Sequence, residues 1–364
     1  MKRPLKLSHQ HFLRMDKDHR ESAKAVNLIY VSDSKPGIER RKKRNGFEHL
    51  YGGKVLKDKE QLKRIKKLVI PPSWTNVWIC PSPNGHIQAT GLDLNGRKQY
   101  RYHSNWSLLR SETKFHRLYE FGKALPLLRR RLKKDMAGKE LNEPKVLATV
   151  INVMEQTYIR IGSNEYEKLY GSYGITTLKD NHVKIAREKM FFSFTGKKGI
   201  EHSITIKNKK LAGIIKQCRD LPGKELFQYI TTEGEKKSID SGSVNNYIKE
   251  ATGKEFTAKE FRTWAGSLQA LKYFRSLEAA KNETEIKRNI VNVLDSVSAK
   301  LGNSRSICKK YYVHPGLIKL YEENKLIQFN SSIKPTANGN EINLSAEEKI
   351  LMKILKRCSS AAYN

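Results

Sequence analysis

Leu301-Gly302-Asn303-Ser304-Arg305-Ser306-Ile307-Cys308-Lys309-Lys310-Tyr311-Tyr312 puts a glycine turn, an amide side chain and, nine residues beyond the amide, a tyrosine on one short stretch. Three basic signals lie upstream: Arg160 in YIRIG, Lys197 in FTGKKG and Arg262 in KEFRTWAG. Two arginines, a lysine, a polar hydrogen-bonder and a tyrosine are the parts needed to cut a phosphodiester without a metal. The tyrosine attacks phosphorus, the arginines hold the charge, and an acid protonates the departing oxygen.

The whole chain carries a charge that suits such a substrate. Lys+Arg 70 against Asp+Glu 37 gives a net charge of +33 over 364 residues, with a sequence pI near 9.9. A well-solvated surface needs no such excess; a polyanion does, and DNA or RNA fits best. A membrane surface fits less well, because no apolar run approaches the roughly 20 residues of a spanning helix. The basic N-terminus MKRPLKLSHQHFLRMDKDHR lacks the apolar core and cleavage site of a signal peptide. Cys80, Cys218, Cys308 and Cys358 are scattered, with no CxxC pair and no Cys/His cluster at zinc spacing. The expectation is a reduced, intracellular protein with no metal and no cofactor. His9 and His11 are not read as ligands.

The period of the sequence changes along the chain. Residues 1–24 are polar and basic and are read as a poorly ordered terminus. From 25 to 106 the pattern is short and β-rich, with strands predicted at 26–32, 76–80, 86–91 and 98–103 and a short helix over 57–68. Lys35-Pro36-Gly37, Gly52-Gly53, Pro81–Gly85 and Asn95-Gly96 supply the turns. From 107 to 324 the period is mainly helical. A basic helix covers 121–136, and Pro144 starts an apolar-periodic helix running into Arg160. Residues 183–206 read as strands around Thr195–Gly199, a β-hairpin with Lys197 near its tip. Further helices are predicted at 208–219, 243–251, 257–281, 283–300 and 304–312. The tail, 325–364, holds the loop SSIKPTANGNE and an amphipathic helix, 345–356, which Ser345 and Glu348 would cap. The fold class is α+β: a small β-rich N-terminal domain and a mainly α-helical second domain with a β-hairpin.

Each site residue has a plain structural reading beside the chemical one. Gly162, close after Arg160, permits close backbone approach, although an arginine after a helix also serves as a surface ion-pair partner. Arg262 sits beside the apolar stripe 256, 261, 264, 268 and 271, so it is partly buried. A buried arginine needs an anion, either a carboxylate or a scissile phosphate. Lys259, three residues earlier, shares its helix face. Lys197 either swings into a groove or keeps a strand edge soluble. Tyr312 is a phenol with a reference pKa of about 10 and needs neighbouring cations to attack. Tyr311 competes with it, but helix neighbours diverge by about 100°, so only one can face the phosphate.

The ordered set resembles the type IB DNA topoisomerases, especially the short poxvirus and bacterial forms. The motifs that carry the resemblance are SDSKPGIERR, IPPSWTNVWICPSPNGHIQATG, GRKQYRYH, YIRIGSNEY, GSYGITTLKDNHV, FTGKKG, FTAKEFRTWAG and LGNSRSICKKYYVHP, and together they span about residues 26 to 322. The resemblance implies a helical catalytic domain of the tyrosine recombinase/type IB topoisomerase kind. It implies catalytic roles for Arg160, Lys197, Arg262 and Tyr312, with Lys259 a secondary active-site lysine. Asn303 stands where poxvirus and eukaryotic members have histidine, and its amide can donate to phosphate without charge. Ser304-Arg305 replaces the Thr-Pro of the pattern. Gln99, Tyr100 and Tyr102 match a DNA-touching strand, with the two tyrosines on one face and Gln99 on the other. Tyr166 and the Ser241/Ser243 turn are phosphate-contact candidates.

The activity so implied is relaxation of supercoiled DNA through a 3′-phosphotyrosyl intermediate, by a cytoplasmic, nucleoid-associated monomer clamped around duplex DNA, without ATP or metal. Two other readings use the same residues. A tyrosine recombinase shares the constellation but places histidine where Lys259 stands and carries a helical N-terminal domain. A non-catalytic DNA-binding protein of this fold would explain the charge equally well.

Overall fold

The structure is a computed structural model that describes residues 8–15, 18–329 and 342–360. The predicted loop SSIKPTANGNE lies outside the described residues. The chain divides into two compact units between Arg117 and Leu118.

In the N-terminal unit the first elements are α1 (His9–Met15) and α2 (His19–Lys24). The segment read as a poorly ordered terminus is thus helical in its described parts. Phe12, Met15 and Ala23 are buried in a small cluster with Val26, Leu28, Trp106 and Leu109. Asp18 caps α2 by accepting from the N–H groups of Arg20 and Glu21, which satisfies two donors that a helix start leaves open.

The strands are β1 (Ile38–Lys43), β2 (Gly46–Tyr51), β3 (Lys54–Val55), β4 (Thr75–Ile79), β5 (Ile87–Leu92) and β6 (Lys98–Tyr102), with α3 (Lys59–Lys67) between β3 and β4. They form an antiparallel sheet in the order β3-β2-β1-β4-β5-β6. Ile38, Ile65, Val77, Ile79 and Ala89 make its core. The strand predicted over 26–32 is corrected. Only Ile29 pairs, in a single bridge to Gly85, and Asn27 takes a φ of 56° that breaks extended pairing. The hairpin β1–β2 went unread because IERRKK buries Ile38 alone, so it lacks the alternation that marks a strand.

The long helix α4 (Ser104–Asp135) contains the division between the units. The second unit continues with α5 (Glu143–Thr157), α6 (Asn164–Tyr170), and the antiparallel sheet β7 (Val183–Ala186), β8 (Lys189–Thr195) and β9 (Glu201–Lys207). Then come α7 (Lys209–Arg219), the small pair β10 (Gln228–Ile230) and β11 (Lys236–Ser238), α8 (Ser241–Thr252), α9 (Ala258–Ser276), α10 (Glu283–Leu301), α11 (Arg305–Tyr311), α12 (Pro315–Glu322) and α13 (Ala346–Ser360). The β-rich N-terminal unit and the helical second unit match the expected α+β class. The helix expected over 257–281 ends earlier, at Ser276. α6, α12 and the β10–β11 pair were not foreseen.

α9 is buried nearly all round; Phe261, Trp264, Leu268 and Leu271 lie in the main core together with the predicted stripe residue Phe256. α13 is tied to this core by its first turn. Ser345 and Glu348 form the predicted reciprocal cap. Glu348 also accepts from Arg129 Nη1 at 3.0 Å and Nη2 at 2.6 Å, and from Trp264 Nε1 at 3.1 Å. Arg129, from the basic run of the 121–136 helix, therefore points inward, held between Glu348 and Glu155.

Candidate active site

Arg160 is placed by a backbone crossing. α5 ends at Tyr158 in the left-handed conformation, φ 61°, and Gly162 follows at φ 98°. Gly174 lies against it: a side-chain carbon there would sit 2.4 Å from Gly162 N and 2.6 Å from Arg160 O. The turn after Gly174 then locks on, with Ile175 N donating to Arg160 O and Thr176 N to Ile161 O. Two glycines thus let the segment that carries Arg160 pass backbone to backbone against the Gly174 turn.

Arg262 is only 6% exposed. It donates through Nη1 to Tyr158 O and through Nη2 to Leu301 O, the latter at 2.6 Å, while its buried Nε has no hydrogen-bond partner. Arg160 Nη2 donates to Gly302 O at 3.1 Å and to Asn303 Oδ1 at 2.6 Å. Among the described residues neither arginine is paired with a carboxylate, which removes the structural alternative for Arg262. The two guanidiniums bear on each other instead. Burial, then the charge of Arg262, pulls Arg160 down to about 10, with Tyr312 opposing. Burial also lowers Arg262, again against Tyr312 and Cys308. Both remain cationic at neutral pH, so two like charges are held in a desolvated place where an anion would relieve them.

Tyr312 faces this pair. The Arg262 Cζ stands 5.1 Å from its ring centroid, and its phenol opposes the lowering of both guanidiniums. Tyr311 turns the other way, exposed under Lys310. The loop that brings Tyr312 here is capped at each step. Gly302 ends α10 in the left-handed conformation, φ 57°, and Ser304 caps α11. Arg305 pairs with Asp295 through two bonds at 2.5 and 2.6 Å. That is what Ser304-Arg305 does in place of Thr-Pro. Asn303 Nδ2 donates to Leu301 O at a long 3.3 Å.

The structure thus brings Arg160, Arg262, Asn303 and Tyr312 together. Lys197 lies in the 3₁₀ turn between β8 and β9, exposed, with its Nζ 5.6 Å from the Tyr166 ring centroid. Two predicted site residues are therefore paired there. Lys259 is exposed in the first turn of α9, and no hydrogen bond or ion pair joins its side chain to the cluster. Ser243 is occupied in capping α8 with Asp240, whereas Ser241 opens that helix. In the N-terminal unit Tyr100 and Tyr102 stack at 5.7 Å and are 42% and 45% exposed. Gln99 is on the other face, donating to Asp93 Oδ2 at 3.0 Å.

Sequence reading missed three participants. Tyr158 supplies a carbonyl to Arg262, Gly266 lets α9 approach Tyr312, and His202 packs against Gly196 and Gly302, the residues before Lys197 and Asn303. Gly266 stood inside a quoted motif, one turn after Arg262, and that spacing was its only signal. Among the described residues no cluster could hold a metal ion.

Comparison with known proteins agrees with this geometry. Residues 103–336 match the sequence model of the eukaryotic DNA topoisomerase I catalytic core. Residues 47–93 match that of the bacterial DNA topoisomerase IB N-terminal domain. The chain is 36% identical to a DNA topoisomerase 1B of Acanthamoeba polyphaga mimivirus over 297 residues, covering 79% of this chain and 88% of the relative. It is 21% identical over 242 residues to the monkeypox DNA topoisomerase I and the vaccinia DNA topoisomerase 1B, covering 65% of this chain and 73% of each. A match across more than half of the chain, a second within the N-terminal sheet and a 36% identical relative converge on one conclusion: the chain belongs to the type IB DNA topoisomerases.

Proposed function

We propose that the chain relaxes supercoiled duplex DNA by nicking and resealing one strand, with Tyr312 as nucleophile. The observation that carries this is the meeting of two guanidiniums, Arg262 buried and Arg160 partly buried and neither paired with an acid, beside Tyr312. The Tyr312 oxygen attacks phosphorus, and the bond from phosphorus to the 5′ oxygen breaks. Arg160 and Arg262 hold the extra negative charge of the five-coordinate phosphorus. Arg262 has its free Nε–H to offer. Asn303 offers its amide N–H, whose long bond to Leu301 O a phosphate oxygen would displace. Lys197, assisted by Lys259, gives a proton to the leaving 5′ oxygen.

The free 5′-hydroxyl end then rotates under torque, attacks the phosphotyrosine and releases Tyr312. Bond energy stays in the covalent link, so the cycle needs neither ATP nor a metal. The DNA would be met by Tyr100 and Tyr102 in the N-terminal unit and by Tyr166, Ser241 and Ser243 in the second, in a monomer closed around the duplex. The net charge of +33 supports the same partner.

The test is relaxation of supercoiled plasmid in EDTA without ATP, wild type against Tyr312→Phe. Wild type alone should relax it. Relaxation by Tyr312→Phe would move the nucleophile to Tyr311. If neither protein relaxed plasmid while both bound it, the recombinase or the non-catalytic reading would replace this one.

A further inference from the structure

His202 has no part in the chemistry above, yet it is built into its framework. It lies on β9 opposite Phe194 and stacks on that ring, centroids 5.0 Å apart and planes at 18°. The tip of its imidazole is wedged between two glycines. A side-chain carbon on Gly196 would meet His202 Cδ2 at 2.6 Å and Nε2 at 2.7 Å; one on Gly302 would meet Cε1 at 2.6 Å and Nε2 at 3.1 Å. Gly302 needs to be glycine for its positive φ in any case. Gly196, at φ −94°, sits in a conformation open to any residue, so its backbone does not demand glycine. The His202 ring does.

Those glycines are not arbitrary neighbours. Gly196 immediately precedes Lys197, and Gly302 immediately precedes Asn303. The two sides differ in how they are held. Gly302 is fixed by the end of α10, by Asn303 N donating to Ser298 O, and by Arg160 donating to its carbonyl. The Lys197 turn is closed by its own backbone bonds, Gly196 N to Ile200 O and Gly199 N to Gly196 O, with Tyr173 N donating to Thr195 O just before it. It can therefore shift as one piece. Burial, then the charges of Arg160 and Arg262, lower the imidazole from its usual range, against Glu201, so a further cation is disfavoured beside the pair.

We propose that His202 is a positioning residue that sets the Lys197 turn against the fixed Asn303 loop, so that the lysine meets the leaving oxygen of a phosphate held by the arginines. This rests on Lys197 being the proton donor. Without the ring, the Asn303 loop keeps its own bonds, whereas the Lys197 turn loses its stop.

The experiment measures single-turnover formation of the covalent DNA adduct on two suicide duplexes that differ in one atom. One has the natural 5′-bridging oxygen, and the other has sulfur, which departs as a thiolate and needs no proton. His202→Ala should cleave the oxygen duplex about 10²-fold more slowly than wild type, the range of a misplaced acid. It should cleave the sulfur duplex within about threefold of wild type, which also shows that the variant is folded. His202→Phe, which keeps a flat ring in the wedge, should retain most of the oxygen rate. An equal loss on both duplexes, an unchanged oxygen rate, or a His202→Phe as slow as His202→Ala would each overturn the proposal. Lys197→Ala run beside them separates the premises. If sulfur does not rescue it, the acid assignment fails and the role of His202 fails with it. If wild type forms no adduct on either duplex, the proposed function itself is wrong.

Discussion

Gly266→Ala should separate activity from stability. Gly266 is buried in α9, one turn beyond Arg262, where the helix passes against the end of α11. A methyl group there would lie 2.6 Å from Tyr312 O, 2.8 Å from Tyr312 Cβ and 3.0 Å from Tyr312 C. Ordinary contacts begin near 3.4 Å, so the closest is short by about 0.8 Å. The obstacle is backbone, which cannot swing aside as a side-chain end can. Tyr312 O is also held by Ser267 Oγ at 3.1 Å, and Ser267 Oγ in turn accepts from His314 N at 3.0 Å. The whole tyrosine must shift relative to Arg262 on the same helix. A displacement near 1 Å costs about 10²-fold in rate when geometry controls the step. Stability should change far less: overpacking costs about 1–3 kcal/mol, and alanine recovers about 1 kcal/mol of helix propensity. Gly213→Ala in α7 is the control, since its methyl group would meet nothing within 4 Å. It should stabilise by about 0.5–1 kcal/mol at unchanged rate. The assay is adduct formation on a suicide duplex beside urea unfolding of both variants. A Gly266→Ala protein that cleaves within about twofold of wild type would refute the reasoning.

Three further outcomes are expected. Glu348→Ala removes the acceptor shared by Arg129, Trp264 and Ser345 N in a site only 4% exposed. It should cost about 3–5 kcal/mol in urea unfolding, as for a broken buried ion pair; a loss under about 1 kcal/mol would contradict the burial argument. In the N-terminal unit, burial and then His9 hold His116 down at about 4, below its ordinary 6.5. The unfolded chain therefore takes up this proton first, and the contribution to stability is complete above pH 6.5 and lost as pH falls from there through about 4. His116→Gln should flatten unfolding free energy against pH in that window; parallel curves would rule this out. DNA affinity should fall with salt at a log–log slope of about −0.9 per phosphate contact, −5 or steeper for six contacts. A slope shallower than about −2 would leave the charge without its partner.

Much of this protein is readable residue by residue because the evidence is local. The glycine-and-cap turn at 302–304 and the stripe of α9 follow from period, propensity and turn chemistry. So do the β8–β9 hairpin and the Ser345–Glu348 cap. The net charge names a polyanion wherever the cations lie. IERRKK shows the limit, since a strand that buries one residue carries no period to read. What only the tertiary structure decided is which groups meet. Arg262 could have faced a carboxylate, and Arg129 in its basic run could have faced solvent. Packing gave Arg129 two acids and gave Arg262 only carbonyls and a phenol. Tyr311 and Tyr312 are neighbours in sequence, and the end of α11 falls between them, Tyr312 being its cap outside the helical conformation. His202 and Gly266 bear no chemical mark in the chain; they matter because His202 lies within contact distance of Gly302, 100 residues on, and Gly266 of Tyr312, 46 residues on. Composition and period act between residues close in sequence, whereas contact depends on how every element packs, and a charge or a ring has no fixed role until that packing chooses its neighbours.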